Sequence, residues 1–288
     1  MKNKTMKNLT RNHFGFSLIE TMLAAGILGV GLVLIAMVFP VGIKLTSVAT
    51  ERTVGAIAAD EAFAKIKLWG FPRTWPTLTN QTCADYRELL NTQYAGYPGW
   101  SIKDISWSEF LYPSDDNIGQ PRVYHWSALC RALDDKQVQI TVFVTRKVAE
   151  NIQFRSTINS GVGPLPGSLQ AWPSPVVVSL KYDGTPRELK IGVLLWGDEH
   201  EFLNGGMVLL EDRTGRLYTI EQVRDSDGDG QRETLVLSQP WQWPGYELNP
   251  DAPPAAAQTN LRFWVVPPGI GSSRNPVIAV RQKVMRID

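Results

Sequence analysis

Three groups of residues in this chain have types and spacing that could do chemistry. The first is Glu20, the single charge in an otherwise apolar run from Phe16 to Phe39. An acid in such a run is costly, about 2.5 to 3.5 kcal/mol at a membrane-helix centre on insertion scales, so it calls for a partner. The second is Asp225-Ser226-Asp227-Gly228-Asp229-Gly230, with Glu233 just beyond. Acids at positions 1, 3 and 5 and Gly at position 6 match the first half of an EF-hand-like calcium loop. Gln231 could add a carbonyl from position 7 and Glu233 a ligand from position 9. Val236 stands where the bidentate Glu of position 12 belongs, and strand-like patterns flank the loop. Three crowded acids repel without a cation, yet a solvated Asp/Gly-rich hairpin turns the chain equally well. The third group is Cys83 and Cys130, the only cysteines. A bridge closing a loop of roughly 50 residues would stabilise by about 4 kcal/mol in the chain-entropy model; the alternative is two buried thiols.

Positioning these groups starts with the N-terminus. Residues 1–15 carry Lys2, Lys4, Lys7 and Arg11 and no acid, which keeps this leader in the cytoplasm and sends the C-terminal side across the membrane. The run from Phe16 to Phe39 would extend about 36 Å as a helix, enough to cross a hydrocarbon core of roughly 30 Å with some tilt. A secretory signal would be shorter and end in an Ala-x-Ala-like site, and a lipoprotein would need a cysteine there; neither fits. The expectation is a single-pass anchor with small positions at Gly26, Gly29 and Gly31 for close helix approach. Pro40 should kink or interrupt it around Phe39 to Gly42. Thr46 to Leu68 reads as an amphipathic continuation, with Val54, Ile57, Ala58, Phe63 and Ile66 on one face.

The junction itself, a basic leader ending in Gly15, then Phe16-Ser17-Leu18-Ile19-Glu20 and the apolar run, resembles the bacterial type IV prepilins and pseudopilins. The wider string, with Thr21-Met22-Leu23-Ala24 and Ile27-Leu28-Gly29-Val30-Gly31-Leu32, looks most like the PilV-type minor pilins. The resemblance spans about residues 11 to 69. It implies that a membrane prepilin peptidase cuts between Gly15 and Phe16 and methylates the new Phe16 amine. It further implies residence in the bacterial inner membrane with the C-terminal domain exported, then packing into a pilus or a type II secretion pseudopilus. The partners would be other pilin or pseudopilin subunits and the inner-membrane assembly platform. Physically, the Phe16 amine is largely cationic near neutral pH. Pairing it with Glu20 of a neighbouring subunit would offset two desolvation costs and fix the stagger between helices.

The remainder reads as α+β: the long hydrophobic helix packed on an antiparallel sheet, followed by an extra β-rich subdomain. The expected divisions are leader 1–15, helix 16–69, a pilin-like α+β region 70–150, a loop or linker 151–175 and a β-rich part 176–288. Thr82-Cys83-Ala84-Asp85 fits a capping box opening a short helix through about Leu90. Val123 to Cys130 and Val138 to Thr145 read as strands, the latter alternating Val138, Ile140, Val142 and Val144 with mostly polar neighbours. Val176 to Leu180, Ile191 to Trp196, Met207 to Glu211, Leu217 to Val223, Thr234 to Ser238, Phe263 to Val266 and Val277 to Ile287 follow. Turns such as Asp212-Arg213-Thr214-Gly215 suggest an antiparallel meander or small barrel.

Composition narrows the function. Losing the leader's four basic residues turns a formal charge of +1 mildly negative, which offers no bulk attraction to nucleic acid. Apolar residues at 43% argue against disorder. Enzyme signatures are scarce: His13 lies in the leader, His125 sits beside Trp126 in a strand pattern, and Asp198-Glu199-His200-Glu201 reads as a metal cluster or a polar turn. The ten tryptophans could stack on sugars or fill cores, and their exposure separates the two. The expectation is a non-enzymatic minor pilin or pseudopilin, with calcium as the sole cofactor candidate. The alternative is a pilin-anchored adhesion or ligand-binding module, calcium-dependent if the loop is loaded.

Overall fold

The computed structural model describes residues 17–71, 82–94, 106–114, 122–147, 151–156, 169–182, 184–192, 194–195, 197–225, 232–242 and 261–287. The chain divides into two compact units, Met1–Glu51 and Arg52–Asp288, and a single 52-residue helix, α1 (Leu18–Trp69), runs through the division. The interruption expected at Pro40 does not occur, and that residue lies inside the helix. Proline removes one donor, and the turns on either side keep their own hydrogen bonds.

In the first unit α1 presents apolar side chains on every side, from Leu18 (78% exposed) to Val48. Its few hydroxyls bond backward along the helix: Thr21 Oγ1 donates to the Leu18 carbonyl at 2.8 Å, and Thr46 Oγ1 to that of Gly42 at 2.9 Å. Thr50 Oγ1 does the same to the Thr46 carbonyl. These three hydroxyls are thus satisfied without water.

In the second unit, α1 buries Gly55, Ala58, Ala59, Ala62, Phe63 and Ile66. Ile57, expected on that face, points elsewhere and is 52% exposed. The contact stripe is made of small residues, which lets the helix lie close on the sheet: a Cβ on Gly55 would come within 2.8 Å of the Ala279 Cβ.

In chain order the elements after α1 are β1 (Ala84–Asp85), α2 (Tyr86–Tyr94), a 3-10 turn (Trp107–Phe110), β2 (Leu111–Tyr112), β3 (Tyr124–Ala132) and β4 (Gln137–Arg146). Then come β5 (Phe154–Arg155), β6 (Leu169–Gln170), β7 (Val176–Tyr182), β8 (Glu188–Ile191), α3 (Glu199–Phe202) and β9 (Val208–Glu211). The last are β10 (Leu217–Arg224), β11 (Thr234–Leu237), β12 (Leu261–Val265) and β13 (Val277–Arg286). The short helix starts three residues later than its sequence signal: Asp85, not Thr82, caps it, accepting the Arg87 N–H at 2.8 Å. The 151–175 stretch is more than a linker, because β5 and β6 pair within it and Phe154 is buried. The strand expected over 191–196 instead occupies 188–191.

The first sheet has the order β1-β3-β4-β13, with β2 also on β3, all antiparallel. The C-terminal strand, expected in the second β-rich part, pairs along β4 from Val277↔Thr145 to Arg286↔Gln137. The β3–β4 hairpin leaves β4 with an open edge, and the returning chain fills it. The material between β4 and β13 is therefore an insertion. It contains a closed six-stranded barrel of order β10-β11-β8-β7-β12-β9, in which β7–β8, β9–β10 and β10–β11 are consecutive as in a meander and the other three neighbouring pairs are not.

Both faces of the first sheet are covered at β3 and β4. Val138, Ile140, Val142 and Val144 of β4 meet α1 across a core that includes Trp126, Tyr86 and Phe110. On the opposite face Phe143 and Leu129 pack with Val177, Leu210 and Trp264 of the barrel wall. The barrel interior is filled by its own side chains, among them Leu189, Phe202, Tyr218, Leu235, Trp241 and Phe263. Each large side chain fully buried contributes roughly 1.5 to 3 kcal/mol.

Polar contacts seat the barrel on the sheet, and they converge on the β9–β10 turn. Asp212, 1% exposed, accepts the Trp264 indole N–H at 2.7 Å and the Cys83 backbone N–H at 3.2 Å through Oδ1. Arg262 lies 3.5 Å from its other oxygen. Gly215 turns the chain at φ +65°, and its carbonyl accepts from Gln282 at 2.8 Å and Gln139 at 3.3 Å. A Cβ there would meet Gln139 Oε1 at 2.3 Å. Replacing Asp212 with Ala leaves the buried Trp264 indole N–H without its acceptor, while the Cys83 N–H keeps the residue 212 backbone carbonyl at 3.0 Å, and unfolding of the full chain by denaturant in detergent should then require about 1 to 3 kcal/mol less. Asp212→Asn, which keeps Oδ1, should lose less; an Asp212→Ala midpoint equal to wild type would remove this turn as the anchor.

Candidate functional site

The start of α1 shows how Glu20 is held. Ser17 precedes the first helical residue, its Oγ accepts the Ile19 N–H at 3.2 Å, and Glu20 Oε2 accepts the Ser17 N–H at 3.0 Å. This is a reciprocal capping box, Ser-x-x-Glu, two orphan donors satisfied by two side chains. It also sets the carboxylate in the first helical turn, where the helix dipole favours a negative charge. The partner of Glu20 among the described residues is thus its own helix end. The signal is present in the sequence as Ser17 three residues before Glu20, the Ser-x-x-Glu pattern of a capping box. Gly15 and Phe16 lie outside the described residues.

From this cap onward α1 is long and apolar enough to cross a membrane. Side chains such as Leu23, Leu28, Ile35 and Phe39 are exposed, and nothing lies within 4 Å of a Cβ built at Gly26, Gly29 or Gly31. The open glycines give a neighbouring helix places of close approach.

The acidic loop is the connection of the β10–β11 hairpin. Arg224 pairs with Thr234, so Asp225 and Glu233 stand across from each other at the mouth of the hairpin. Asp227, Asp229 and Gln231 lie outside the described residues. Strands flank the loop, as its sequence setting indicated. Helix α3 leans on the same hairpin: His200 Nδ1 is 3.4 Å from the Arg232 carbonyl, and Arg232 Nη1 donates to Asn204 Oδ1 at 3.1 Å. Within the Asp198-Glu199-His200-Glu201 run, Asp198 is ion-paired with Arg155, and Glu199 is buried and accepts the Leu195 N–H at 2.6 Å. These acids serve the packing of α3. Among the described residues no three His, Cys, Asp or Glu side chains converge as metal ligands.

The expected Cys83–Cys130 bridge is not formed; both are buried free thiols. Cys130 pairs opposite Ala84, so Cys83, one residue earlier, turns to the other side of the sheet. Cys130 packs toward α1 and Cys83 toward the barrel. Burial raises both pKa values, most of all by desolvation, and leaves the thiols protonated.

His125 is 1% exposed and sits in an aromatic stack. Trp172 lies parallel to it at 5.8 Å and Trp107 tilts against it at 5.8 Å, with the Arg87 guanidinium 3.5 Å over Trp107 and Lys147 Nζ 4.9 Å over Trp172. Burial, and then the charge of Arg87, push the His125 pKa down to about 3. Nearby Glu88 is pushed up to about 7, by burial and then by Asp85. None of the described tryptophans is fully exposed, which favours packing over sugar stacking.

No protein-family model, no curated protein and no solved structure matches the chain.

Two measurements follow from this geometry. His125 stays neutral in the fold but takes up a proton near pH 6.5 when unfolded, so its contribution is complete above about 6.5 and is lost as pH falls toward about 3. Glu88 acts oppositely, losing stability as pH rises from about 4.5 to about 7. Comparing wild type with His125→Phe cancels Glu88. The variant should gain on wild type by on the order of 3 kcal/mol between pH 7 and pH 4 in chemical unfolding, and a constant difference would contradict the buried neutral ring. For the loop, calorimetric titration of the full chain with calcium should give one site at millimolar calcium or below. Asp225→Asn together with Glu233→Gln should abolish it, and no heat at millimolar calcium would leave the loop a plain turn.

Proposed function

We propose that this chain is a minor subunit of a type IV pilus or a type II secretion pseudopilus, a non-enzymatic structural and assembly component. In this reading a prepilin peptidase removes the leader at Gly15–Phe16, α1 holds the subunit in the bacterial inner membrane with its C-terminal domain exported, and the same helix packs among other subunits after assembly. One observation carries the reading: a reciprocally capped helix starts two residues after the Gly15–Phe16 junction and exposes apolar side chains on every side for more than seven turns. Left in water, each large side chain would forgo roughly 1.5 to 3 kcal/mol. Lipid before assembly and neighbouring helices after it are the two environments that remove this cost.

The cap also refines the role of Glu20. Before assembly its carboxylate is satisfied by the Ser17 N–H, which eases its stay in an apolar setting. One oxygen takes that bond, leaving the other for the Phe16 amine of a neighbouring subunit. The large inserted barrel suits a sparse or tip-located subunit better than a shaft subunit, because each shaft copy must fit its bulk between neighbours.

A second reading, a pilin-anchored ligand-binding module, is favoured by the facing of Asp225 and Glu233 at the mouth of the hairpin. A ligand in that case binds at the barrel rim, since the interior is filled.

Replacing Glu20 with Ala should reduce incorporation into isolated filaments or pseudopili at least tenfold while the membrane-held pool persists. Glu20→Gln, which can still accept from Ser17, separates capping from charge. Wild-type incorporation of both variants would sink the pairing, and recovery of the wild-type chain at shaft stoichiometry would sink the minor-subunit role.

A further inference from the structure

Strand β13 is the outermost strand of the first sheet: β4 pairs with one edge, and among the described residues no strand pairs with the other. Ten residues long, it is held from both sides of the sheet. Ala279 meets α1 at Gly55, and Lys283 Nζ lies 5.6 Å over the Phe63 ring. On the other face Gln282 bonds Thr141 and the Gly215 carbonyl. A template fixed this way does not need to order itself on binding.

The direction of its backbone groups follows from one hydrogen bond. The Ile287 N–H donates to the Lys136 carbonyl at 2.8 Å, continuing the ladder past Arg286↔Gln137. Alternation along an antiparallel strand then aims the N–H and C=O of Met285, Lys283 and Arg281 at β4, and those of Val284, Gln282 and Val280 outward. The side chains along this edge are sorted as well. Arg281 and Lys283 project on the α1 side and are exposed, no acid occurs between Val277 and Arg286, and Val284 on the opposite face is 52% exposed.

We infer that the outer edge of β13 receives a β-strand of a partner protein in which acidic and apolar residues alternate. The acidic side chains would lie beside Arg281 and Lys283 on the α1 side, and the apolar ones beside Val280 and Val284. Main-chain bonds supply the attachment and the charges choose the partner. A second copy of this chain fits poorly: antiparallel pairing about Gln282 sets Arg281 of one copy beside Lys283 of the other, and parallel in-register pairing aligns like charges throughout. Basic residues on an open edge thereby exclude neutral and like-charged strands while leaving an acidic one welcome.

The inference does not depend on the proposed pilus role, so its test is independent of filament assembly. The full chain in detergent would be titrated with an acetylated eight-residue peptide of alternating Glu and Val, and with its Lys-Val counterpart, by fluorescence anisotropy and amide hydrogen exchange. The acidic peptide should bind at least tenfold more tightly and slow exchange at Val280, Gln282 and Val284. Val284→Pro, which removes an outward donor and leaves the β4 ladder intact, should abolish binding. Should that variant misfold, the double change Arg281→Glu with Lys283→Glu should reverse the preference between the peptides. Equal binding of the two peptides, no binding of the acidic one, or wild-type binding by Val284→Pro would each overturn the inference. So would concentration-dependent dimerisation of the chain that Val284→Pro removes, which assigns the edge to a second copy.

Discussion

The middle strands of the first sheet, β3 and β4, have almost no face in water, and most of the second unit follows from that constraint. A sheet covered on one side only reads as alternating apolar and polar residues. Here β4 alternates Val138, Ile140, Val142 and Val144 with Gln139, Thr141, Phe143 and Thr145, yet both sets are covered, the first by α1 and the second by the barrel side. The polar set is tolerated because it is bonded. Thr145 Oγ1 donates to the His125 carbonyl, Thr141 accepts from Gln282, and Gln139 donates to the Gly215 carbonyl. Thr141 and Thr145 are satisfied within the sheet, while Gln139 and Gln282 reach the Gly215 carbonyl, which makes the β9–β10 turn with Asp212 and Gly215 the point on which the layers depend.

The return of β13 tightens this dependence. The strand that completes the sheet comes after the whole barrel in sequence, so its pairing with β4 closes a loop of more than a hundred residues. Closing long loops adds only logarithmically to the entropic cost, but it delays the contacts that repay it. A compact, independently packed barrel shortens the effective loop by bringing its own ends together. The barrel core, with Trp241 against Tyr182 and Tyr218 against Phe263, has large aromatic contacts of its own.

Local patterns in the sequence carried the elements better than their partners. The apolar run of α1, the valine alternation of β4 and the Asp212 to Gly215 turn were legible because each depends on residues close together in the chain. The fate of β13 was not, because its pattern fits any open edge and only the long-range competition between edges decides. Ile57 was placed on the wrong face for a related reason: hydrophobicity suggested it as a core residue, while the helix approaches through Gly55, Ala58, Ala59 and Ala62, whose small size is what permits contact. The sequence left the cysteines open between a bridge and two thiols. Cys83 stands one residue before Ala84, which pairs with Cys130, and that one-residue offset sends the thiols to opposite faces, which a period-two structure makes decisive.

In the proposed role, Glu20 would meet two demands in succession. An ionised carboxylate inside an apolar helix is tolerable only while its oxygens are bonded, and the Ser17 cap meets that need within one subunit. The same bond is local and exposed, worth about 1 kcal/mol as helix caps go, which is weak enough to yield to a cationic partner on a neighbouring helix. Under the proposed subunit role, a stronger intrachain partner would lock the acid away from assembly, and none at all would make the solitary subunit costly to keep in a membrane. A modest cap at the first turn lies between these extremes. On that proposal the balance would account for the acid at the third helical position, within reach of the helix end, rather than deeper in the apolar run.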